Sequence, residues 1–279
     1  MRLIAFGGDA RMDSAVAAAR LAGWEAVHIR EDTDITKENT QADAALLPWP
    51  HSVRDGILCG GGISKVRVLE LLAPCTIALH GSGIDPDELP CAGVNPAGDA
   101  LFMRENAELT AEGAICRAMQ RKDAALMGAA CVITGFGRIG QALAKRLTAL
   151  SAFVIVCARS EAQMRLAHEM GAHPVPLASL ASALRKADVV FNTIPARILD
   201  WDALRRMQKD ALLIELASPP YGADPALAAQ VGVEMAIESG VPGRYAARNA
   251  GAALFSALCR AIERREKGEQ KEAGGHADG

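Results

Sequence analysis

Short apolar runs alternate along this chain with longer segments in which apolar residues recur every three or four positions. The short runs predict strands and the longer segments predict helices, in the order strand 2–6, helix 12–22, strand 25–29, strand 42–47, helix 64–72 and strand 76–79. Strands separated by helices are typical of parallel sheets, whose strands need crossover connections. The pattern therefore predicts an α/β fold.

The same alternation returns after a long helical pattern at 97–127, with predicted strands at 189–193, 212–216 and 234–236 and a final helix at 249–265. The expected domains are an N-terminal α/β substrate and partner domain at 1–105, a connecting helix at 106–128, a second α/β domain at 129–247, a C-terminal helix packing on the first domain at 248–266 and a disordered tail at 267–279. The tail is charged and glycine-rich, so it lacks the apolar residues that packing requires.

A glycine motif opens the second domain. Gly135, Gly137 and Gly140 follow an apolar run and precede the helical pattern at 141–150, in the spacing G-x-G-x-x-G. In dinucleotide-binding folds the first glycine permits a tight turn, the second lets the backbone approach a pyrophosphate and the third lets the helix lie against the sheet. The expected cofactor contacts here are Gly135, Gly137, Arg138, Ile139 and Gly140. The alternative is a Rossmann-like fold that holds no nucleotide.

Arg159 and Ser160 stand where the second strand of this motif ends. An NAD site usually offers a carboxylate to the ribose 2′-hydroxyl here, about 20 residues after the glycines. A guanidinium and a hydroxyl suit a 2′-phosphate instead, so we expect NADP. Glu161 keeps NAD open as the alternative. The predicted fold is thus a two-lobe α/β protein with a Rossmann NADP-binding domain and a smaller flavodoxin-like α/β domain.

Composition narrows the possible functions. The chain has 279 residues, 50% of them hydrophobic, which suffices for two domains with separate cores. A net charge of −3 gives no indication of nucleic-acid binding. No apolar stretch is typical of a membrane span or a signal peptide, and the seven scattered cysteines have no metal-ligand spacing. We expect a cytoplasmic protein with no metal site.

Two polar segments follow predicted strands of the second domain. Ligands of open α/β sheets bind outside the carboxyl ends of the strands, so residues in both segments are expected to contact the cofactor. They are Asn192, Thr193, Ile194 and Pro195 in the first segment, and Ala217 and Ser218 in the second. The alternative is a plain turn in each case, because Asn, Thr, Ser and Pro favour turns.

Two residues are candidates for proton transfer. Glu112 lies in the connecting helix beside Gly113, where a carboxylate can orient the nicotinamide or act as a base. Alternatively, Glu112 is a paired structural residue between the domains. His80 precedes Gly81 at a strand end, and histidine is the residue type that most often transfers protons in enzymes. No orienting carboxylate is evident for it.

Several motifs together resemble the A subunits of dipicolinate synthase. They are Gly-Gly-Asp-Ala-Arg at 7–11, Leu-Pro-Trp-Pro at 47–50, Thr-Ala-Glu-Gly-Ala-Ile at 110–115, Gly-Phe-Gly-Arg-Ile-Gly at 135–140, Phe-Asn-Thr-Ile-Pro-Ala at 191–196, Glu-Leu-Ala-Ser-Pro-Pro at 215–220 and Pro-Gly-Arg-Tyr-Ala at 242–246. The chain departs from that family at Glu215, where Asp is usual, and at Asn249, where a hydroxyl is usual.

The resemblance implies an NADP-dependent oxidoreductase that oxidises the hydroxy-dihydrodipicolinate-type product of the lysine-pathway aldolase to dipicolinate during sporulation. It implies that the partner is a flavoprotein, the B subunit of the enzyme. It further implies a small dicarboxylate substrate and the cytoplasm of the sporulating mother cell as location. A homo-oligomer is also expected.

A dicarboxylate needs fixed cations, and arginine matches carboxylate geometry. Arg11 is the sharpest candidate. The matching motifs give the substrate-binding residues Gly8, Asp9, Arg11 and Trp49. Arg248 is added because it keeps the positive charge of the family at that position, while Arg104 and Arg244 compete for the same task. Alternatively, Asp9 only caps a helix and Arg11 is a solvated surface charge.

The reaction that we expect is hydride transfer to the cofactor, driven by aromatisation of the substrate ring. Two alternatives stay open. One is another NADP-dependent two-lobe dehydrogenase, of the 2-hydroxyacid or shikimate type. The other is a non-catalytic nucleotide-binding subunit that regulates the flavoprotein.

Overall fold

The computed structural model describes residues 1–35, 41–73 and 75–274, with side chains as far as residue 268. The chain divides into two units of nearly equal length, Met1–Asn106 with Ala246–Gly279, and Ala107–Tyr245. The first unit is therefore not a smaller lobe, and the long helix expected as a separate connector is shared between the units.

The first unit is built on a parallel sheet of five strands. Its elements are β1 (Arg2–Phe6), α1 (Ala10–Leu21), β2 (Glu25–Ile29), β3 (Ala44–Leu46), the short antiparallel pair β4 (Val53–Arg54) and β5 (Ile57–Leu58), α2 (Lys65–Leu72), β6 (Ile77–Leu79), β7 (Ala92–Val94) and the start of α3 (Ala100–Lys122). The strand order β2-β1-β3-β6-β7 is the doubly wound order of flavodoxin-like sheets. β7, an edge strand of three half-exposed residues, was not predicted because it has no apolar run.

The second unit is built on a parallel sheet of six strands. Its elements after α3 are β8 (Ala130–Thr134), α4 (Arg138–Ala149), β9 (Phe153–Ala158), α5 (Glu161–Glu169), β10 (His173–Pro176), α6 (Leu180–Leu184), β11 (Val189–Asn192), α7 (Trp201–Leu204), β12 (Leu212–Glu215), α8 (Pro225–Val231), β13 (Glu234–Ile237) and α9 (Val241–Tyr245). The order β10-β9-β8-β11-β12-β13 is the Rossmann order 3-2-1-4-5-6. Alternate residues of each strand enter apolar cores on opposite faces of the sheet.

The last helix, α10 (Ala247–Gly274), returns to the first unit and packs along α1. A side chain at Gly251 would lie 2.3 Å from the carbonyl oxygen of Arg11, so the two helices meet backbone to backbone. The helix continues to Gly274, which corrects the expectation of a disordered tail from residue 267. The end of that expected tail, 275–279, lies outside the described residues.

Within the second unit, α3 packs against α9. The carboxylate of Glu238, which follows β13 and is only 4% exposed, accepts from Arg117 Nε of α3 at 2.7 Å and from Arg244 of α9. Gly113 of α3 faces α9, and a Cβ there would lie 2.4 Å from Val241 Cγ1. Two contacts therefore hold α3 and α9 together. One is the buried carboxylate of Glu238, which is paired with two guanidiniums, and the other is the close helix crossing at Gly113.

We predict that Gly113→Ala destabilises the protein by about 1–3 kcal/mol, because the added methyl overpacks this crossing. The intrinsic preference of a helix for alanine, about 1 kcal/mol, acts in the opposite direction. Gly268→Ala is the matched control, since that helical glycine has open space around it and its replacement should be neutral or stabilising. Urea unfolding of both variants measures the difference. Equal midpoints would contradict the packing argument.

Candidate functional site

The candidate site lies at the carboxyl edge of the second unit's sheet. Strand order reverses between β8 and β11, so the loops that leave these strands diverge and open a crevice. Ligands of open α/β sheets bind at such a switch point. The glycine motif and both predicted polar segments leave the sheet at this edge.

The glycine turn has the conformation that the spacing predicts. Gly135 has a φ of +85°, and a Cβ there would lie 2.7 Å from Thr193 Oγ1 and 2.9 Å from Ile194 Cγ1. A Cβ at Gly140 would lie 2.4 Å from the carbonyl oxygen of Gly135. Both glycines are therefore required by the protein's own packing.

Gly137 differs from its two neighbours in the motif. It caps α4 at an ordinary φ of −77°, and a Cβ there would meet nothing within 4 Å. The protein's own contacts therefore do not explain this glycine, whereas a ligand lying against the backbone would. The free N–H groups of the first turn of α4, at Arg138 and Ile139, favour an anion at this place.

A cavity of about 660 Å³ opens beyond the ends of β9 and β10. Arg159 and Arg206, which follows α7, both line this cavity. Neither guanidinium has an ion-pair partner among the described residues. Glu161, the carboxylate that keeps NAD open as the alternative cofactor, lies 3.6 Å from Arg165. Ser160 caps α5 by accepting from Gln163 N at 3.2 Å. The remaining lining residues are Ala158, Pro176, Leu177, Ala178, Leu180, Ala181, Ile198, Asp200, Asp202 and Ala203.

Three buried polar residues form a line across the sheet edge. Thr134 of β8, Asn192 of β11 and Glu215 of β12 are register partners on adjacent strands, and none is exposed. Thr134 Oγ1 donates to Asn192 Oδ1 at 2.5 Å, and Asn192 Nδ2 donates to Glu215 Oε1 at 2.6 Å. The side chain of Asn192 also bonds both backbone groups of Ile194, which fixes the start of that loop.

Glu215 binds the next loop directly. Its Oε1 accepts from Ala217 N at 3.0 Å and its Oε2 from Gly222 N at 2.9 Å. Burial raises the pKa of the Glu215 carboxyl, while these donors oppose the rise because they favour the charged form. Between them, Ser218 is exposed and Tyr221 has a φ of +64°, a strained value for a bulky residue.

The predicted loop residues thus lie together, although contact with a cofactor remains a prediction for each. Thr193 and Ile194 pack on Gly135, Thr193 Oγ1 donates to Thr134 O at 2.7 Å, and Pro195 is exposed at the loop surface. Ala217 and Ser218 begin the loop that Glu215 holds. Sequence reasoning missed Arg206 and the role of Glu215. A carboxylate at the end of an otherwise apolar strand was the available indication for Glu215.

In the first unit, the candidate substrate residues are partly committed to each other. Asp9 caps α1 through Arg11 N at 3.0 Å, and its carboxylate also accepts from Arg11 Nε at 2.8 Å and Nη2 at 2.9 Å. This ion pair lowers the pKa of Asp9, although burial opposes the effect. Gly8, at a φ of +78°, supplies the turn before them. The capping role weighed for Asp9 is therefore present, and Arg11 is not a free cation.

Trp49 and Arg248 contrast in their surroundings. Trp49 packs edge-on against Phe102, with ring centroids 5.0 Å apart, and its indole lies 3.4 Å from Asn95 Oδ1. Arg248 is exposed in the first turn of α10 and has no ion-pair partner among the residues described. Of the candidate substrate cations, Arg248 is thus more available to an anion than Arg11.

Both candidates for proton transfer are hydrogen-bonded within the protein. His80 is 4% exposed, its Nδ1 bonds Gly81 O at 2.9 Å, and its Nε2 faces the backbone of Gly93. Glu112 accepts from Arg146 Nη2 at 2.8 Å, near the end of α4 and about 12 Å along that helix from Arg138. Both side chains have partners within the protein, and a catalytic role for either stays a prediction.

Comparison with known proteins relates this geometry to a group of dehydrogenases. Residues 102–231 match the family model "D-isomer specific 2-hydroxyacid dehydrogenase, NAD binding domain". The dipicolinate synthase A subunit of Bacillus subtilis is 34% identical over 167 residues, which span 58% of this chain and 56% of that protein. The chain is a homologue of the dipicolinate synthase A subunit. The sequence match spans little more than half of that relative's length.

Solved structures agree with this relationship over most of the chain. The crystal structure of the dipicolinate synthase A subunit from Bacillus halodurans superposes with a TM-score of 0.79 and 27% identity, covering 94% of this chain and 97% of that one. The apo-structure of D-lactate dehydrogenase from Escherichia coli, at 17% identity and a TM-score of 0.62, covers 96% and 98% respectively and shares the fold alone.

These comparisons establish an α/β protein with two parallel sheets, one of them in an NAD(P)-binding domain of the 2-hydroxyacid dehydrogenase type. Its helices, over the residues described, include none with the length and apolar character of a membrane span. Among the described residues, no group of three His, Cys, Asp or Glu side chains could hold a metal ion.

We predict that Gly137→Ala lowers the affinity for a dinucleotide, whereas Gly140→Ala lowers the free energy of unfolding. Gly137→Ala should leave the free energy of unfolding within about 0.5 kcal/mol of the original, because its methyl meets only open space. It should weaken dinucleotide binding by about tenfold or more, since the methyl occupies the place of the pyrophosphate. Gly140→Ala should lower stability itself. Calorimetric titration and urea unfolding test both, and unchanged binding by Gly137→Ala would contradict a dinucleotide at this turn.

Proposed function

We propose that this chain is the nicotinamide-dependent subunit of a dipicolinate synthase and oxidises a dihydropyridine dicarboxylate to dipicolinate. Similarity to the dipicolinate synthase A subunit in both sequence and structure carries the proposal. A flavoprotein B subunit is the proposed partner, since the relative's name implies a second subunit. Sporulation and the cytoplasm of the mother cell are the proposed setting, with the chain acting as a homo-oligomer.

NADP is the proposed cofactor. Arg159 and Arg206 both line one cavity at the end of β9, where the 2′ position of the adenosine ribose lies in Rossmann folds. A 2′-phosphate pairs with guanidinium groups, whereas a 2′-hydroxyl would leave both guanidiniums without an anionic partner. Asp202 lines the same cavity without an ion pair to either arginine, and the carboxylate of Asp200 is engaged in capping α7. Both cations are therefore available to a ligand.

The residues present fit such a cofactor. Gly137 leaves open space beside the first turn of α4 for a pyrophosphate, and the loops that begin at Asn192 and Glu215 are held rigidly over the other half of the crevice. When bound, the oxidised nicotinamide supplies the hydride acceptor. The protein orients the ring through backbone groups of these loops and the exposed Ser218 hydroxyl.

The substrate would be held by cations of the first unit. Arg248 lies in the first turn of α10, and α10 packs on the first turns of α1 through Gly251. Helix N-termini favour anions, so a carboxylate near Arg248 gains from both the guanidinium and the helix. In the overall reaction the hydroxylated aldolase product would lose water, and the resulting dihydrodipicolinate would lose one hydride to the cofactor and one proton to solvent. The product is the aromatic diacid.

Binding of 2′,5′-ADP tests the proposed cofactor. We expect the intact chain to bind 2′,5′-ADP more tightly than 5′-AMP, which lacks only the 2′-phosphate. Arg159→Ala and Arg206→Ala should each reduce this preference by about tenfold or more, because a hydrogen bond to a charged group contributes about 1.5–3 kcal/mol. Arg205→Ala is the matched control, since Arg205 lies over the Trp201 ring at 5.9 Å and is not in the cavity wall. Equal binding of the two nucleotides would identify an NAD site instead.

Turnover separates the proposed activity from two others. The chain, the aldolase product and NADP are mixed with and without the flavoprotein partner, and reduced nicotinamide is followed by absorbance. We expect reduction with this substrate, at its fastest when the partner is present. Reduction with 2-hydroxyacids only would favour the alternative that the family model suggests, a 2-hydroxyacid dehydrogenase. Cofactor binding with no reduction in any mixture would favour a regulatory subunit.

A further inference from the structure

The line of Thr134, Asn192 and Glu215 lies on one particular side of the switch point. A Rossmann sheet consists of two mononucleotide-binding halves. The cavity with Arg159 opens beyond the ends of β9 and β10, the adenosine half under the proposed function, although five of its lining residues, between Ile198 and Arg206, come from the segment after β11. The other half, with β11 and β12, is thus left for the nicotinamide. Asn192 and Glu215 end these two strands.

Glu215 is the group on which both loops of that half converge. It holds the loop after β12 at its two ends, through Ala217 N and Gly222 N, and it holds the loop after β11 through the amide of Asn192. Gly222 O in turn accepts from Ile198 N at 3.1 Å and Leu199 N at 2.9 Å, which joins the far ends of the two loops. A single carboxylate therefore determines the position of each loop relative to the other.

The loop needs such a restraint because it does not adopt this shape without strain. Tyr221 has a φ of +64°, and strained residues of this kind persist only where surrounding contacts over-determine them. Gly222 has no room for a side chain, since a Cβ would lie 2.4 Å from Asn192 Nδ2. Exposed Ser218 lies between the two backbone groups that Glu215 holds, so its position depends directly on that carboxylate.

A carboxylate is the one side chain that satisfies this set of donors. Oxygen Oε1 faces two N–H groups and Oε2 faces another, so an amide at this position would point its own NH₂ at a donor whichever way it turned. Aspartate would keep both acceptors but withdraw them by one methylene. Two acceptor oxygens are thus needed at this position, and the length of Glu215 brings them to these donors in this chain.

We propose that Glu215 is a positioning residue for the nicotinamide half of the cofactor, holding the loops after β11 and β12 in the shape that receives the ring. This inference rests on the proposed dinucleotide site. It assigns a role to a residue that has no contact with solvent in the chain itself.

The test compares the whole cofactor with its adenosine half. Glu215→Gln should weaken binding of NADPH by about tenfold, about 1.4 kcal/mol, and leave the affinity for 2′,5′-ADP within about twofold. Glu215→Asp should show the same selective loss to a smaller extent, and it serves as the second variant if the glutamine variant does not fold. Glu234→Gln is the control, because Glu234 lies on the adjacent strand β13 in an exposed pair with Arg121 and should change neither affinity.

The possible outcomes are distinct. Selective loss of NADPH affinity supports the inference. Equal loss of both ligands would show a general structural role, and unchanged affinity for both would show that the loops do not depend on Glu215; either result overturns it. If the unaltered chain binds neither NADPH nor 2′,5′-ADP, the proposed function itself is wrong, and that result is recognised before any variant is measured.

Discussion

The hydrogen bonds that converge on Glu215 are the interaction on which the rest of the candidate site depends. A carboxylate buried without partners would cost several kcal/mol, so its side chain can lie inside the sheet edge only if donors surround it. Asn192 and the backbone of the following loop provide those donors. The same bonds that remove the penalty also fix the geometry of two loops. Stability and site shape are therefore not independent in this part of the molecule.

The glycine turn is joined to this network through close packing. Thr193 and Ile194 lie where a side chain at Gly135 would be, and Thr193 also bonds the carbonyl of Thr134. A change at any of these positions must move its neighbours, because the interior has no spare volume to absorb it. Of the three glycines in the motif, Gly137 is the one that faces open space. The crevice thus combines a rigid frame with room beside a helix start, which is what a bound pyrophosphate requires.

Charge is arranged differently in the two units. In the second unit, Arg159 and Arg206 face a cavity without carboxylate partners among the described residues, and their charge is left for a ligand. In the first unit, Arg11 is held in a fork by Asp9, while Arg248 has no such partner within the described part of the chain. An arginine bound to a neighbouring carboxylate contributes less to anion binding than a free one. Arg11, which follows the turn at Gly8, is therefore less available to an anion than Arg248.

Much of the architecture follows from local pattern. The apolar runs at β1, β8, β11 and β12 appear in the sequence within about a residue of their ends in the structure. The short edge strands β7 and β10 do not, since edge strands with half-exposed residues need no continuous apolar run. The helix beyond residue 267 was likewise unexpected, because its composition resembles a solvated tail and not a packed face.

The sequence by itself determined the glycine turn, the cationic end of β9 and the two-sheet α/β plan, because each depends on residues that are neighbours along the chain. Tertiary structure decided which of the candidate groups are free. Arg11 is ion-paired with Asp9, and Glu112 is ion-paired with Arg146. His80 lies between the backbone of Gly81 and that of Gly93. Tertiary structure also brought Glu215 to Asn192 and placed Arg206 and Arg159 in the lining of one cavity. Such pairings join residues far apart in sequence or depend on side-chain direction, and only folding brings them together.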